Sequence, residues 1–228
     1  KDFIAVIKEQ QGLSDKLPAL MLSSIKTIDD LFLWFEKIDE SGISTACINA
    51  DAVKFALNKV AVGEQTENNL KFIVDRTKDS DNHQVFLIVT VARLLLFLST
   101  NKRHKETQEL YESYKELTKS ELGNILINNA LACNYDDMNE KGKAIDLWQN
   151  VCTENALSIA PDEVLFASIT MSNVLSQNKE FQASVKSIEA VTNNKYFVTS
   201  LSEYQKMQMH GELAIRYKRL VVITSRIK

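Results

Sequence analysis

A chain of 228 residues with only 2 Pro and 6 Gly has few places to turn tightly. β-Hairpins and α/β connections draw on these two residues, Gly for positive φ and Pro for its fixed φ. So little of either points to long helices joined by polar loops. The apolar residues agree. Leu31, Trp34, Phe35 and Ile38 keep the i, i+3, i+4, i+7 spacing of one helix face. The same holds for Leu70, Ile73 and Val74, for Leu110, Tyr111 and Tyr114, and for Leu147, Trp148 and Val151. Polar breaks at 39–44, 63–66, 78–83, 100–105, 136–143, 158–162, 178–180 and 192–202 have lengths suited to antiparallel helices. The expected fold is all-α, with about eleven helices in one continuous body.

The helices also repeat. Phe35, Val74, Tyr111, Trp148 and Ile188 form a column of large apolar residues at spacings of 39, 37, 37 and 40. The preceding helices keep the same step, with Leu57, Leu94, Leu131 and Met171 in one column and Ala61, Leu98, Tyr135 and Leu175 in another. A two-helix period near 37–40 is the pattern of stacked helical hairpins. It divides the chain into hairpins at 1–46, 47–83, 84–120, 121–160 and 161–198, followed by a C-terminal helix at 201–223. Beginning at Lys1, the sequence reads as a piece of a longer protein.

One unit carries a family likeness. Leu131, Ala132 and Tyr135, followed by Ala144, Trp148 and Val151, resemble the tetratricopeptide repeat, in which small residues let paired helices approach and large ones fill the groove. Val151 stands where that family prefers a small residue, and Pro161 arrives several residues after the usual closing proline. The resemblance spans about residues 47–191 and implies a right-handed α-solenoid whose first helices line a concave face. On that face it places Lys59, Arg93, Asn129 and Asn173, as contacts for a partner peptide or helix. An Asn amide can both donate to and accept from a peptide backbone. Arg93 interrupts an apolar run and must find solvent, an acid or a ligand. The segments PDEVLFASITMSNVLSQNKEFQASVKSIEAV and SLSEYQKMQMHGELAIRY resemble, more narrowly, the 72-kDa subunits of the signal recognition particle, themselves tetratricopeptide proteins.

The chemistry-bearing residues give no catalytic constellation. No phosphate loop, dinucleotide fingerprint, nucleophile elbow or HExxH occurs. His83, His104 and His210 lie far apart without ligand-spaced Cys or carboxylates, so no metal and no cofactor is expected. His83 and His104 fall in polar linkers and read as solvated. Cys47, Cys133 and Cys152 are an odd number without a CxxC pair, as in a reducing compartment. The N-terminal residues lack the apolar core of a signal peptide. The longest apolar stretch, 85–98, contains Thr90 and Arg93 and is shorter than the ~18–20 residues of a membrane span. A cytoplasmic or nuclear protein is expected, with no membrane span and no small-molecule substrate.

A net charge of −3 gives no global attraction to nucleic acid, so any such contact is local. Two segments qualify. Lys102, Arg103, His104 and Lys105 form a basic linker, and Arg216, Lys218, Arg219, Arg226 and Lys228 put five cations and no acid into 216–228. Cations at a helix C-terminus are favoured by the macrodipole alone. They also suit an acidic protein or an RNA-containing complex. The expectation is a non-enzymatic protein-interaction scaffold within a larger assembly, with a nucleic-acid-binding helical repeat as its rival.

Overall fold

A computed structural model describes residues 21–46 and 48–226 and, within them, every side chain but those of Thr224 and Arg226. Among the described residues the fold is all-α, with the end of a helix at 21–23, twelve further α-helices, three short 3-10 turns and no strand. The helices are α1 (Ile28–Ser41), α2 (Ala50–Val60), α3 (Thr66–Thr77), α4 (Gln84–Thr100), α5 (His104–Tyr114) and α6 (Glu121–Asp137). They continue with α7 (Lys141–Val151), α8 (Ala156–Ile159), α9 (Pro161–Gln177), α10 (Phe181–Thr192), α11 (Phe197–Ser200) and α12 (Glu203–Arg226). The single-turn helices α8 and α11 are too short to leave a period in the sequence. The chain divides into two compact units, Lys1–Phe97 and Leu98–Lys228.

In the first unit, α1 opens on a capping box. Thr27 Oγ1 accepts from the Asp30 backbone N–H at 3.1 Å, and the Asp30 carboxylate accepts from the Thr27 N–H at 2.9 Å. Gly42, at φ 64°, closes the helix in the left-handed conformation. The inner face of α1, Leu31, Trp34, Phe35 and Ile38, is buried. Trp34 and Phe35 meet Phe86 at ring-centroid distances of 5.3 and 5.0 Å. The loop after α1 is tied to residues 37–39 positions further on. Thr45 N donates to Asn82 Oδ1 at 2.9 Å, and Asn82 Nδ2 donates to the Ile43 carbonyl at 3.1 Å.

In the second unit one turn is built three times. Lys102, Asn139 and Lys179 adopt φ of 61°, 61° and 67°. At each, the next residue's N–H reaches back five positions: Arg103 to Leu98 at 2.9 Å, Glu140 to Tyr135 at 2.8 Å and Glu180 to Leu175 at 2.8 Å. This is a Schellman cap on α4, α6 and α9 in turn. Its acceptors, Leu98, Tyr135 and Leu175, are three of the four members of one apolar column, so over these units the period of 37–40 is realised as a repeated turn; Ala61, the fourth, ends its helix without this cap. The left-handed position is occupied by Lys or Asn each time, which is how three sharp reversals are made without glycine.

Serines set the spacing of the α9–α10 hairpin. Ser168 Oγ donates to the Ser187 carbonyl and Ser184 Oγ to the Ser172 carbonyl, each at 2.8 Å, all four residues being buried. Small side chains let the helices close, and each hydroxyl finds the opposite backbone. The α6–α7 hairpin uses Trp148 instead. This side chain is fully buried, and its indole N–H donates to Asn129 Oδ1 at 3.0 Å. Gly123, early in α6, is required by close approach: a Cβ there would lie 2.0 Å from the Leu117 carbonyl oxygen.

One stretch among the described residues, Asp81–Thr100, is long and apolar enough to cross a membrane by length and composition, with a mean hydropathy of 1.7. In the protein 67% of that window is buried.

Candidate partner-binding surface

Helix α12 packs on α10 and is bonded to α9 at a constant register. Gln205 Nε2 donates to Asp162 at 2.6 Å, Arg216 Nη2 to Asn173 Oδ1 at 2.5 Å and Arg219 Nη1 to Ser176 Oγ at 3.3 Å. Each partner is 43 residues upstream, so the two helices run parallel. The central pin is Arg216, which is 3% exposed. Its Nε donates to Ser172 Oγ at 2.8 Å, and Nη2 also pairs with Glu212 at 3.0 Å. Burial lowers the guanidinium pKa and Glu212 opposes that shift, so the cation is kept by its acceptors. Tyr217 donates to Glu189 of α10, and His210 stacks edge-on against Phe197 at 5.3 Å.

The opposite face of α12 is open. Tyr204, Met207, Gly211, Ile215, Lys218 and Val222 fall at steps of 3, 4, 4, 3 and 4, which is a single helix stripe, and all six are exposed. Tyr204 is 77% exposed and Met207 72%. By the 43-residue register Gln177, the last residue of α9, stands opposite Leu220, so 221–226 run on past the end of α9. Beside the last turn of α9, at Ser176, a groove of about 600 Å³ is floored by Phe181, Ile215, Val222 and Ile223 and edged by Lys218 and Arg219. No carboxylate lines it among the described residues. A second hollow of about 320 Å³ lies at the other end of α12, over Leu165, Phe166 and Ile169.

The residues expected on a concave face are mostly engaged within the protein. Lys59 donates to the Ser23 carbonyl at 2.8 Å and lies over the Phe55 ring at 4.2 Å. Arg93 is half-buried; it donates to Asn58 Oδ1 at 2.5 Å and to the Ala61 carbonyl at 3.4 Å, and burial pulls its pKa below the ordinary value. Its partners are an amide and a carbonyl rather than the acid the sequence left open. Asn129 does not reach the surface: it is the acceptor for Trp148. Asn173 is exposed, with its oxygen on Arg216.

Of the basic patch, Lys218 and Arg219 are exposed, whereas Arg216 faces inward on α12 and is buried. The Arg226 side chain and Lys228 lie outside the described residues. The basic linker is likewise drawn into local pairs. Lys102 meets Asp137 at 3.4 Å, Arg103 meets Glu106 at 2.5 Å and Lys105 meets Glu109 at 3.5 Å.

Two histidines read as solvated are not. His83 is completely buried, with its ring 4.8 Å from Phe35 and its Nε2 2.8 Å from Asp39 Oδ1. Burial outweighs the carboxylate and pushes its pKa down. His104 is half-buried, its Nδ1 2.7 Å from Asn134 Oδ1. Burial pushes the Cys133 and Cys152 thiols up to about 12, so neither is a thiolate nucleophile at neutral pH. Cys47 lies outside the described residues. No group of three metal-ligating side chains is assembled among the described residues.

Against known protein families, curated proteins and solved structures, the chain has no match.

Proposed function

We propose that the chain is a non-enzymatic protein-interaction module of tetratricopeptide-like hairpins, and that it binds a protein partner through the outer face of α12. The observation that carries this is the exposed apolar stripe of Tyr204, Met207, Ile215 and Val222 on a helix whose inner face is firmly pinned. Contiguous exposed apolar surface of this kind marks interaction sites. In the repeat pattern a first helix is covered by a second, and α12 occupies a first-helix position by its register with α9. The three identical turns support hairpin stacking of the tetratricopeptide kind in the second unit. A right-handed solenoid, a cytoplasmic or nuclear location and membership of a larger assembly, as in the signal recognition particle, are parts of the same proposal. The apolar stretch Asp81–Thr100 is read as a core helix because most of it is buried and Arg93 is satisfied within the protein.

The nucleic-acid alternative is weakened, since Arg216 is buried and paired internally and the 102–105 linker is drawn into local ion pairs, which leaves Lys218 and Arg219 exposed. The test is affinity purification with the chain as bait, with and without RNase, for the wild type and for Tyr204→Glu combined with Met207→Glu. A small stoichiometric set that survives RNase and is lost in the variant, at unchanged helicity and melting temperature, is the expected result. Partners indifferent to the variant, or lost with RNase, contradict the proposal.

A further inference from the structure

Resting on that reading, we infer that the groove between the C-terminal half of α12 and the start of α10 takes an amphipathic helix with acidic flanks. Three observations converge. The floor is apolar, made by Phe181, Ile215, Val222 and Ile223. The rim is cationic, with Lys218 and Arg219 exposed beside it, and no carboxylate lines the groove among the described residues. Arg216 is neutralised by Glu212, so Lys218 and Arg219 are the charged groups that line the groove, and both are cations.

The shape favours a helix over an extended strand. The six-residue stripe of α12 follows helical spacing, and 221–226 carry the helix past the end of α9. A helix laid alongside would present its own i, i+3, i+4, i+7 residues to that stripe. Lys218 sits within the stripe and Arg219 beside it, where a Glu or Asp flanking the partner's apolar seam would meet them. Like charges on the partner would face unrelieved repulsion, so the rim selects as well as attracts. RNA is disfavoured because the floor is aliphatic but for Phe181, which is a poor stacking platform.

The test titrates the whole chain with a labelled peptide of about 18 residues, Leu at i, i+3, i+4 and i+7 and Glu on both flanks. Matched peptides carry Lys or Gln in place of Glu. The Glu peptide is expected to bind at least about tenfold more tightly than the Lys peptide. Lys218→Glu should cancel that preference, and Ile215→Asp should weaken both peptides, with the far-ultraviolet spectrum unchanged. Equal binding of the Glu, Gln and Lys peptides overturns the acidic assignment, although loss of all three in Ile215→Asp would leave α12 as a protein-binding face. Failure of every peptide to bind overturns this inference, while the Tyr204 and Met207 variant separately decides the proposed function. Concentration-dependent self-association through the groove, or competition of the Glu peptide by single-stranded RNA, would overturn it as well.

Discussion

His83 and Arg216 meet the same difficulty in different units and resolve it in opposite ways. Both are ionisable and buried, 0% and 3% exposed. His83 has the Asp39 carboxylate on its Nε2 and lies beside the rings of Trp34 and Phe35; burial, aided by the Arg76 charge, drives it toward the neutral form. Asp39 itself is raised by burial but held below its ordinary value by hydrogen bonds from Arg76 and His83. Arg216 is given Ser172, Asn173 and Glu212 and stays charged. Acceptor supply, more than depth, decides whether a buried cation survives. The first unit therefore carries an acid-sensitive element, and the second carries a charge-dependent pin.

The largest expected effect breaks the pin. Arg216→Leu strands Glu212 and leaves Ser172 and Asn173 without their donor, which should cost about 3–5 kcal/mol and detach α12 in hydrogen exchange. Its exposed neighbour is the control: Lys218→Leu should change stability by no more than about 0.5 kcal/mol. A smaller loss is expected from Asn129→Leu, which removes the acceptor of the buried Trp148 indole and should cost about 1–3 kcal/mol by denaturant titration. An unchanged melting temperature in that variant would return Asn129 to the list of partner contacts.

The acid response of the first unit comes next. The folded pKa of His83 lies below its unfolded value, so the unfolded chain binds the proton more readily. The contribution is complete above the unfolded pKa of about 6.5 and is lost as pH falls below it. One proton limits the slope to about 1.4 kcal/mol per pH unit. Protection factors of the α1 amides, which divide out the base catalysis of exchange, should fall as pH drops from 7 to 5 in the wild type and not in His83→Phe, while those of α9 and α10 stay unchanged in both. The smallest effect has the opposite sign. Lys179→Gly relieves a left-handed lysine and should raise stability by up to about 1 kcal/mol, readable as a shifted urea midpoint.

Much of the architecture was legible because helix faces and their period are local properties. The scarcity of Gly and Pro, the apolar columns and the Asn101–Lys102 and Asn178–Lys179 pairs beyond two helix ends all lie in the sequence. Those Asn–Lys pairs were the available signal for the repeated left-handed turn. The candidate site was less legible. Arg216 reads as one cation among five until the Ser172 hydroxyl, 44 residues away, is known to lie beneath it. His83 follows a polar linker and looks solvated, whereas its partner Asp39 stands 44 residues earlier. The tetratricopeptide likeness puts Asn129 and Arg93 on a concave face, but a repeat pattern does not report that an indole or a neighbouring amide already occupies them.

On the proposed function, α12 is pinned on one face and open to a protein on the other, and hydrogen–deuterium exchange of the full chain, with and without the leucine–glutamate peptide, decides between this and a concave-face site. New protection confined to α12 and to the 178–181 turn between α9 and α10 is the predicted result. Protection along α2, α4 and α6, where Lys59, Arg93 and Asn129 lie, or none at saturating peptide, would contradict it.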